Sequence, residues 1–148
     1  MKNSFEIRKY IKSEFLHYFK LDDQNVIKID LENYTESFSY QWKKFPEIQI
    51  DSKNQDKFSA ERFKHTGWTK EELDGKSVLE VGSGAGRFTE ILMNSHPILF
   101  TIDSSDAIYV NFENNKKNEN INNTFFIKNS VEKEIFKNNS FDYIFCYG

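Results

Sequence analysis

The chain has 148 residues, with 20 Lys and Arg against 23 Asp and Glu, a formal net charge of −3 and a pI near 5.7. This acidic balance excludes nucleic-acid binding through overall charge alone. A mean hydropathy of −0.70, with no apolar run near the ~18 residues that cross a bilayer, excludes a membrane-spanning helix. The start of the chain lacks the apolar segment of a secretory signal, and the single Cys146 cannot form an intramolecular disulfide. We therefore expect one folded, cytoplasmic domain.

The first part of the chain is rich in aromatic and charged residues, without one clean periodicity. One set of apolar residues fits a single helical face: Tyr10, Ile11, Phe15, Leu16 and Phe19. Further on, the alternation of Ile27, Ile29 and Leu31 predicts a strand. These residues indicate local elements, but they do not by themselves indicate a complete domain.

An aromatic cluster follows these elements and is ended by a proline. It contains Tyr40, Trp42 and Phe45, which we interpret as core packing. The alternative is a lid whose ring faces stabilise a cationic ligand. We expect residues 1–55 to form an irregular, aromatic-rich extension or lid, and the remaining residues to form the main unit.

From residue 69 onward the pattern becomes regular. Thr69 and Glu72 fit a capping box for a short helix that Gly75 ends. Strands and helices then alternate, with strands predicted over 77–81, 98–102, 124–127 and 141–147 and helices over 87–95 and from 105 to about 113. This alternation is typical of a mainly parallel sheet with right-handed crossovers. We interpret the Asn- and Lys-rich stretch 111–123 as solvated surface.

The candidate functional motif lies where the first of these strands turns into a helix. Its sequence is Val78-Leu79-Glu80-Val81-Gly82-Ser83-Gly84-Ala85-Gly86-Arg87. In an open parallel sheet, ligands bind at the carboxyl ends of the strands, beside helix N-termini. Glycines at such a turn leave the space that a ligand needs. A dinucleotide-binding fingerprint requires a glycine at its sixth position, where this chain has Arg87.

The acid-x-Gly-x-Gly-x-Gly pattern from Glu80 to Gly86 resembles the first motif of the class I S-adenosylmethionine-dependent methyltransferases. Two later features agree in their order: Asp103 closes the next strand, and Asn129-Ser130-Val131 follows the third. The resemblance extends over residues 76–148 and implies a Rossmann-like α/β fold. Counted from the strand before the glycine turn, the family's usual order of strands in the sheet is 3-2-1-4. The given sequence ends on the fourth of these strands. We therefore expect residues 56–148 to be the cofactor-binding half of a methyltransferase domain.

The resemblance also implies a chemistry and a set of contacts. The cofactor is S-adenosyl-L-methionine, the product is S-adenosylhomocysteine, and the methyl group passes to an acceptor by in-line displacement. In the family the glycine turn lies against the methionine part, an acid at the second strand accepts the ribose hydroxyls, and the turn after the third strand borders the adenine. The predicted cofactor-binding residues are Glu80, Gly82, Ser83, Gly84, Gly86, Arg87, Asp103, Ser104, Asn129, Ser130 and Val131. No residue is nominated as a general base.

Several of these residues have alternative interpretations. Glu80 could be a buried strand acid without a ligand, Asp103 a helix N-cap, and Arg87 a surface ion-pair residue. We interpret Cys146 as a small buried hydrophobic residue rather than a nucleophile. The three histidines have no metal-ligand spacing and are expected at the surface, so no metal site is predicted.

Two other classes of function stay open. A non-catalytic fragment or binding module would bind the cofactor without turnover, or would self-associate through the exposed edge of the fourth strand. An NAD(P)-dependent oxidoreductase is disfavoured by Arg87 at the sixth motif position. The family's methyl acceptors include small molecules, lipids, sugars, proteins and RNA, and the acidic balance of the chain argues weakly against RNA.

Overall fold

The computed structural model describes residues 4–18, 25–29, 44, 50–54 and 58–147. The α-helices among them are α1 (Ser4–Tyr10), α2 (Asp51–Asn54), α3 (Phe58–Phe63), α4 (Lys70–Leu73), α5 (Arg87–Met93) and α6 (Ala107–Asn115). Short 3-10 helices cover Ser13–Tyr18, Lys64–Thr66 and Glu119–Asn123. The strands are β1 (Ile27–Lys28), β2 (Ser77–Val81), β3 (Ile98–Asp103), β4 (Thr124–Lys128) and β5 (Tyr143–Cys146). The predicted alternation of strand and helix from β2 onward is confirmed.

The described strands form one parallel sheet in the order β1-β4-β3-β2-β5. From β4 to β5 this is the predicted order 3-2-1-4, so the Rossmann-like α/β class is confirmed. The short strand β1 is added at the β4 edge, where Ile27 pairs with Ile127. Ile27 and Ile29 are buried, as their alternation indicates, while Leu31 lies outside the described residues. The N-terminal part of the chain therefore contributes a strand to the same sheet.

The predicted N-terminal helical face is divided between two segments. α1 ends at Tyr10, and Ile11 forms an isolated antiparallel bridge with Phe136 before the 3-10 helix starts at Ser13. Tyr10 and Ile11 are buried, whereas Phe15 and Leu16 are half-buried. The other residues assigned to aromatic or helical clusters, Phe19, Tyr40, Trp42 and Phe45, lie outside the described residues.

The sheet separates two apolar clusters, because successive side chains of a strand point to opposite faces. The cluster on the α5–α6 side includes Val78, Leu99 and Phe126 of the sheet together with Phe88, Leu92 and Ile108 of the helices. The cluster on the N-terminal side includes Leu79, Phe100, Phe125 and Ile127 together with Tyr10, Ile11 and Ile135. Both faces of the central strands are therefore covered by the protein's own residues.

Two sets of local hydrogen bonds stabilise the region around the start of β2. The predicted capping box is confirmed: the Glu72 amide donates to Thr69 Oγ1 at 3.2 Å, and the Thr69 amide donates to Glu72 Oε2 at 2.8 Å. Asp142 then ties the approach to β5 onto β2, because its Oδ2 accepts the amide and the hydroxyl of Ser77 at 2.9 and 2.7 Å. These hydrogen bonds lower the pKa of Asp142.

Two predictions about exposure are wrong. Cys146 is exposed rather than buried, because the register of β5 turns Phe145 inward and its two neighbours outward. In the stretch 111–123, Lys116 and Lys117 are exposed as predicted, but Asn111 is buried, and so are Asn115 and Asn120. These asparagines are buried because their amides have hydrogen-bond partners inside the fold. No helix among the described residues combines the length and the apolar character needed to cross a membrane.

Candidate functional site

The glycine-rich turn joins the end of β2 to the start of α5 and is tied to β3. The amides of Gly82 and Ser83 both donate to the carbonyl of Ile102, at 2.9 and 3.1 Å. Gly82 has a φ of +70°, a conformation that residues with side chains rarely adopt, and a Cβ built there would meet no atom of the described residues within 4 Å. The turn therefore opens onto free space at the carboxyl end of β2.

Gly86, the last glycine of the motif, faces the protein instead of open space. A Cβ at this position would lie 2.1 Å from Oδ1 of Asn111 and 2.6 Å from Nδ2 of Asn115. The side chains of α6 occupy this space, so the expectation that every motif glycine leaves room for a ligand is wrong at Gly86. The absence of a side chain there serves helix packing.

Asp103, at the end of β3, faces the glycine turn. Its Oδ2 accepts the amide of Gly84 at 2.8 Å, and its Oδ1 accepts both the amide and the hydroxyl of Ser105, at 2.8 and 2.6 Å. Ser105 Oγ in turn accepts the amide of Ala107, the first residue of α6, at 3.2 Å. Because a carboxylate oxygen can accept two hydrogen bonds, Oδ2 keeps the capacity for a further donor.

Glu80 lies in β2 beneath the turn, opposite Thr101 of β3, and is only 1 % exposed. Its Oε2 accepts the hydroxyl of Thr89 at 2.5 Å, while Oε1 has no hydrogen-bond partner among the described residues. Burial raises the pKa of Glu80 to about 7; the hydroxyls of Thr89 and Thr101 act in the opposite direction, and the charge of Asp103 raises it further. The protein's own partner of this acid is thus a threonine hydroxyl of α5.

A buried polar network extends from Glu80 to α6. Asn111 Nδ2 donates to the hydroxyl oxygens of Thr89 and Thr101, at 2.8 and 3.3 Å. Asn115 Nδ2 lies 2.9 Å from Asn111 Oδ1 and 3.3 Å from the carbonyl of Gly86. The sequence analysis missed these residues, although the spacing of four between the two asparagines places them on one helical face.

The loop after β4 contributes further polar atoms. Asn129 is buried, and its Nδ2 donates to the carbonyls of Ser130 and Lys133, at 2.7 and 3.2 Å. Asn129 Oδ1 and the buried Oγ of Ser83 have no hydrogen-bond partner among the described residues. A cavity of about 270 Å³ adjoins this loop and is lined by Ile102, Asn129, Val131, Lys133, Glu134, Phe136 and Asn138.

Arg87 begins α5 and is half-buried among aromatic rings. Its guanidinium carbon lies 4.7 Å from the ring centroid of Phe88 and 5.5 Å from that of Tyr147. Burial and the nearby charge of Arg62 lower the pKa of Arg87. The side chain is therefore held at the carboxyl end of β5, next to the glycine turn.

The structure brings the predicted site residues together at the carboxyl ends of β2, β3 and β4. The turn after β2 is bonded to Asp103, and the amide of Asn129 donates to the Asp103 carbonyl at 3.0 Å, which joins the loop after β4. Ser104, which follows Asp103 in the chain, is half-buried, and Val131 is exposed. Their role as cofactor ligands stays a prediction. Within the described ranges, no group of three or more His, Cys, Asp or Glu side chains could hold a metal ion.

Comparison with known proteins finds similarity to methyltransferases. Residues 78–148 match the family model of a methyltransferase domain. No curated protein is significantly similar to the chain in sequence. Among solved structures, the chain is similar to phosphoethanolamine N-methyltransferase 1 of Haemonchus contortus, in complex with phosphoethanolamine and S-adenosylhomocysteine, with 20% identity and a TM-score of 0.54. It is also similar to protein arginine methyltransferase 10 of Arabidopsis thaliana, with 16% identity and a TM-score of 0.53.

These two likenesses concern the fold and a limited part of each enzyme. The first covers 75% of this chain and 24% of the nematode enzyme, and the second covers 77% of this chain and 31% of the plant enzyme. The chain thus spans about a quarter to a third of these proteins. Together with the family match, they confirm the resemblance on which the sequence analysis depended.

Proposed function

We propose that the chain binds S-adenosyl-L-methionine at the carboxyl ends of β2, β3 and β4, because residues 78–148 match the family model of a methyltransferase domain. In this proposal the chain is the cofactor-binding part of a methyltransferase. The observation that carries it is the hydrogen bond between Gly84 and Asp103, which sets an acid at one strand end against an open glycine turn at the next. The chemistry that the cofactor supplies when bound is a methyl group activated by a positively charged sulfur.

The unsatisfied polar atoms of the site support this proposal. Three buried oxygens have no hydrogen-bond partner among the described residues: Glu80 Oε1, Ser83 Oγ and Asn129 Oδ1. Leaving such an atom unpaired costs about 1–3 kcal/mol. All three can accept a hydrogen bond, and the ammonium, the ribose hydroxyls and the adenine amino group of the cofactor are all donors. The chemistry of these atoms therefore fits this ligand.

Each part of the site suits a different part of the cofactor. Asp103 Oδ2 accepts one hydrogen bond at present and would accept a ribose hydroxyl. Asn129, Ser130 and Val131, beside the cavity of about 270 Å³, would hold the adenine. The turn at Gly82 leaves open space for the methionine part, and Glu80 beneath it would supply negative charge toward the ammonium.

Arg87 is assigned to the same end of the cofactor. Its half-buried guanidinium lies against Phe88 and Tyr147, and so it is held in place at the edge of the turn. A guanidinium in this position would pair with the carboxylate of the methionine part through charge-assisted hydrogen bonds. In this proposal the chain's residues hold the charged groups of the cofactor, and the methyl group stays accessible to an acceptor.

Calorimetric titration of the chain with S-adenosylhomocysteine tests the proposal. We expect binding by the wild-type chain, and an affinity about tenfold or more weaker in Asp103→Asn, because a hydrogen bond to a charged group is lost. Asp74→Asn is the matched control, since this exposed carboxyl lies just after α4, before the opposite end of β2. Binding in the control should equal that of the wild type.

Three results would count against this assignment. They are no binding by a folded wild-type chain, unchanged binding by Asp103→Asn, or tight binding of NADH in place of S-adenosylhomocysteine. Binding without methyl transfer to any acceptor tested would instead favour the binding-module alternative over an active enzyme.

A further inference from the structure

We propose that Asn111 is a positioning residue for Glu80: it orients the hydroxyls of Thr89 and Thr101 toward the Glu80 carboxylate and thereby sets the charge beneath the glycine turn. The inference deepens the proposed function, because that charge would act on the cofactor's ammonium. Its structural part concerns the free protein and does not depend on any ligand.

The direction of each hydrogen bond in the network follows from groups that can only accept. The carbonyls of Gly86 and Asn111 accept from Asn115, at 3.3 and 3.2 Å, so the atom of Asn115 that faces them is the nitrogen. The same nitrogen lies 2.9 Å from the Asn111 side chain, which must therefore present its oxygen there. Consequently the Asn111 nitrogen faces Thr89 and Thr101.

This orientation determines where the threonine hydrogens point. An amide nitrogen only donates, so each hydroxyl oxygen accepts from Asn111 and keeps its own hydrogen for another partner. For Thr89 that partner is Glu80 Oε2, at 2.5 Å. Thr101, the cross-strand neighbour of Glu80, acts on the carboxylate in the same sense. One asparagine therefore directs the Thr89 hydroxyl to the buried acid and holds the Thr101 hydroxyl beside it.

The surroundings of Glu80 make the threonine hydroxyls important for the charge of its carboxyl group. Burial favours the protonated carboxyl, and Asp103 of β3 favours it too, because it adds a like charge. The elements packed against Glu80 contribute Thr89 from α5 and Phe145 from the β5 register, which carry no charge. The threonine hydroxyls, together with the backbone amide of Thr89, stabilise the ionised form. If they rotate freely, the carboxyl stays protonated to higher pH.

The direct experiment is an NMR titration of the free, folded chain with ¹³C-labelled glutamate side chains. Glu80→Gln identifies the Glu80 signal by its loss. We expect a wild-type midpoint near pH 7 and, in Asn111→Leu, a midpoint higher by about one pH unit, because the hydroxyl donors lose their orientation. Asn118→Leu is the control: this amide donates to Asn94 at 3.0 Å, away from Glu80, and its removal should leave the midpoint unchanged.

Further variants keep the test decisive if the leucine variant does not fold. Asn111→Ala removes the same donors in a smaller side chain and should also raise the midpoint. Thr89→Val, which has a similar shape but no hydroxyl, should raise it, and Thr89→Ser should restore the wild-type value. An unchanged midpoint in the folded Asn111 variant, or equal midpoints for the valine and serine variants, would overturn the positioning role.

The affinity for S-adenosylhomocysteine, measured across pH, separates this inference from the proposed function. Wild-type affinity should rise with pH through the Glu80 midpoint, because the ionised acid attracts the ammonium. In Asn111→Leu the same curve should move to higher pH and reach the wild-type affinity at its upper end. A uniform loss at every pH would mean a merely structural role. A shifted NMR midpoint in a chain that binds no ligand would contradict the proposed function and still support the positioning role.

Discussion

The two sides of β2 and β3 are built for different purposes. On the N-terminal side, β2 begins with the buried Ser77, and the residues of both strands that follow on this side are apolar: Leu79, Val81, Ile98, Phe100 and Ile102. On the α5–α6 side, the strands begin with Val78 and Leu99 but continue with Glu80 and Thr101, directly beneath the glycine turn. The same two strands therefore supply stability on one side and a polar site at their ends on the other.

The buried residues on the two sides have opposite effects on the stability of the fold. Phe100 is fully buried and contacts aromatic rings, with centroids at 4.7 Å from both Tyr10 and Phe125, and such burial stabilises the fold. Glu80 is buried as well, but its raised pKa means that ionising it in the folded state costs free energy. An ionised acid at this position therefore lowers stability, which agrees with the proposed role of Glu80 in binding.

The largest expected effect is on the apolar side. Phe100→Ala should lower the free energy of unfolding by about 3–5 kcal/mol, because it removes a large side chain and leaves a cavity. Urea unfolding measures the loss. The matched control is Phe58→Ala, since Phe58 is 67 % exposed, and it should change stability by no more than about 0.5 kcal/mol. A loss under ~1 kcal/mol for Phe100→Ala would show that this side is not the stabilising one.

The next effect tests the polar side and carries a pH dependence. Because the pKa of Glu80 rises from 4.5 to about 7 on folding, the folded chain binds more protons than the unfolded chain between these values. Stability therefore falls as pH rises through this window and then levels off. Glu80→Gln has no such ionisation cost. The difference in free energy of unfolding between Glu80→Gln and the wild type should therefore increase by roughly 2–4 kcal/mol, in favour of the variant, from about pH 4.5 to about pH 8.

Unfolding of both proteins at the two pH values measures this gain. The prediction would be wrong if the stability difference between Glu80→Gln and the wild type were the same at both. The same variant should bind S-adenosylhomocysteine more weakly near pH 8, which would make it a more stable but less functional protein.

The smallest expected effect concerns an acid at the other end of β2. The pKa of Asp142 is lowered by its hydrogen bonds to Ser77, so its contribution to stability is present above the unfolded pKa of 3.8 and is lost as pH falls through the lower, folded pKa. Asp142→Asn should reduce stability by only about 0.5 kcal/mol at pH 7, because the side chain is exposed. Thermal unfolding should show this difference shrinking as the pH falls below the unfolded pKa of 3.8; a difference that grows in acid would contradict the prediction.

Much of this architecture could be predicted from the sequence because its signals are local. Short apolar runs located the strands from β2 onward, alternation located β1, and the order of the glycine turn, Asp103 and Asn129 indicated the fold class. The role of Gly86 could not be predicted, because it depends on Asn111 and Asn115, which reach it from a helix more than twenty residues away. Composition suggested a solvated surface for these asparagines, and only tertiary contacts reveal that their amides are satisfied inside the fold.

The exposure of Cys146 has the same explanation. Its strand was predicted, but which residues of β5 face inward depends on its register against β2, where Cys146 pairs with Val81. A shift of one residue would exchange the two faces. Local pattern therefore determines that a strand exists, and pairing determines what it exposes.

The claim on which the account depends is that the cofactor binds where the turn after β2 meets the end of β3. An amide ¹H–¹⁵N NMR titration with S-adenosylhomocysteine tests this claim most directly, because it reports where the ligand binds. We expect the largest shift changes at Gly82–Gly86, Asp103–Ser105 and Asn129–Val131, and small ones at the opposite end of the sheet near Ser77. Saturating ligand that leaves these amides unchanged, or that moves only amides elsewhere, would contradict the account.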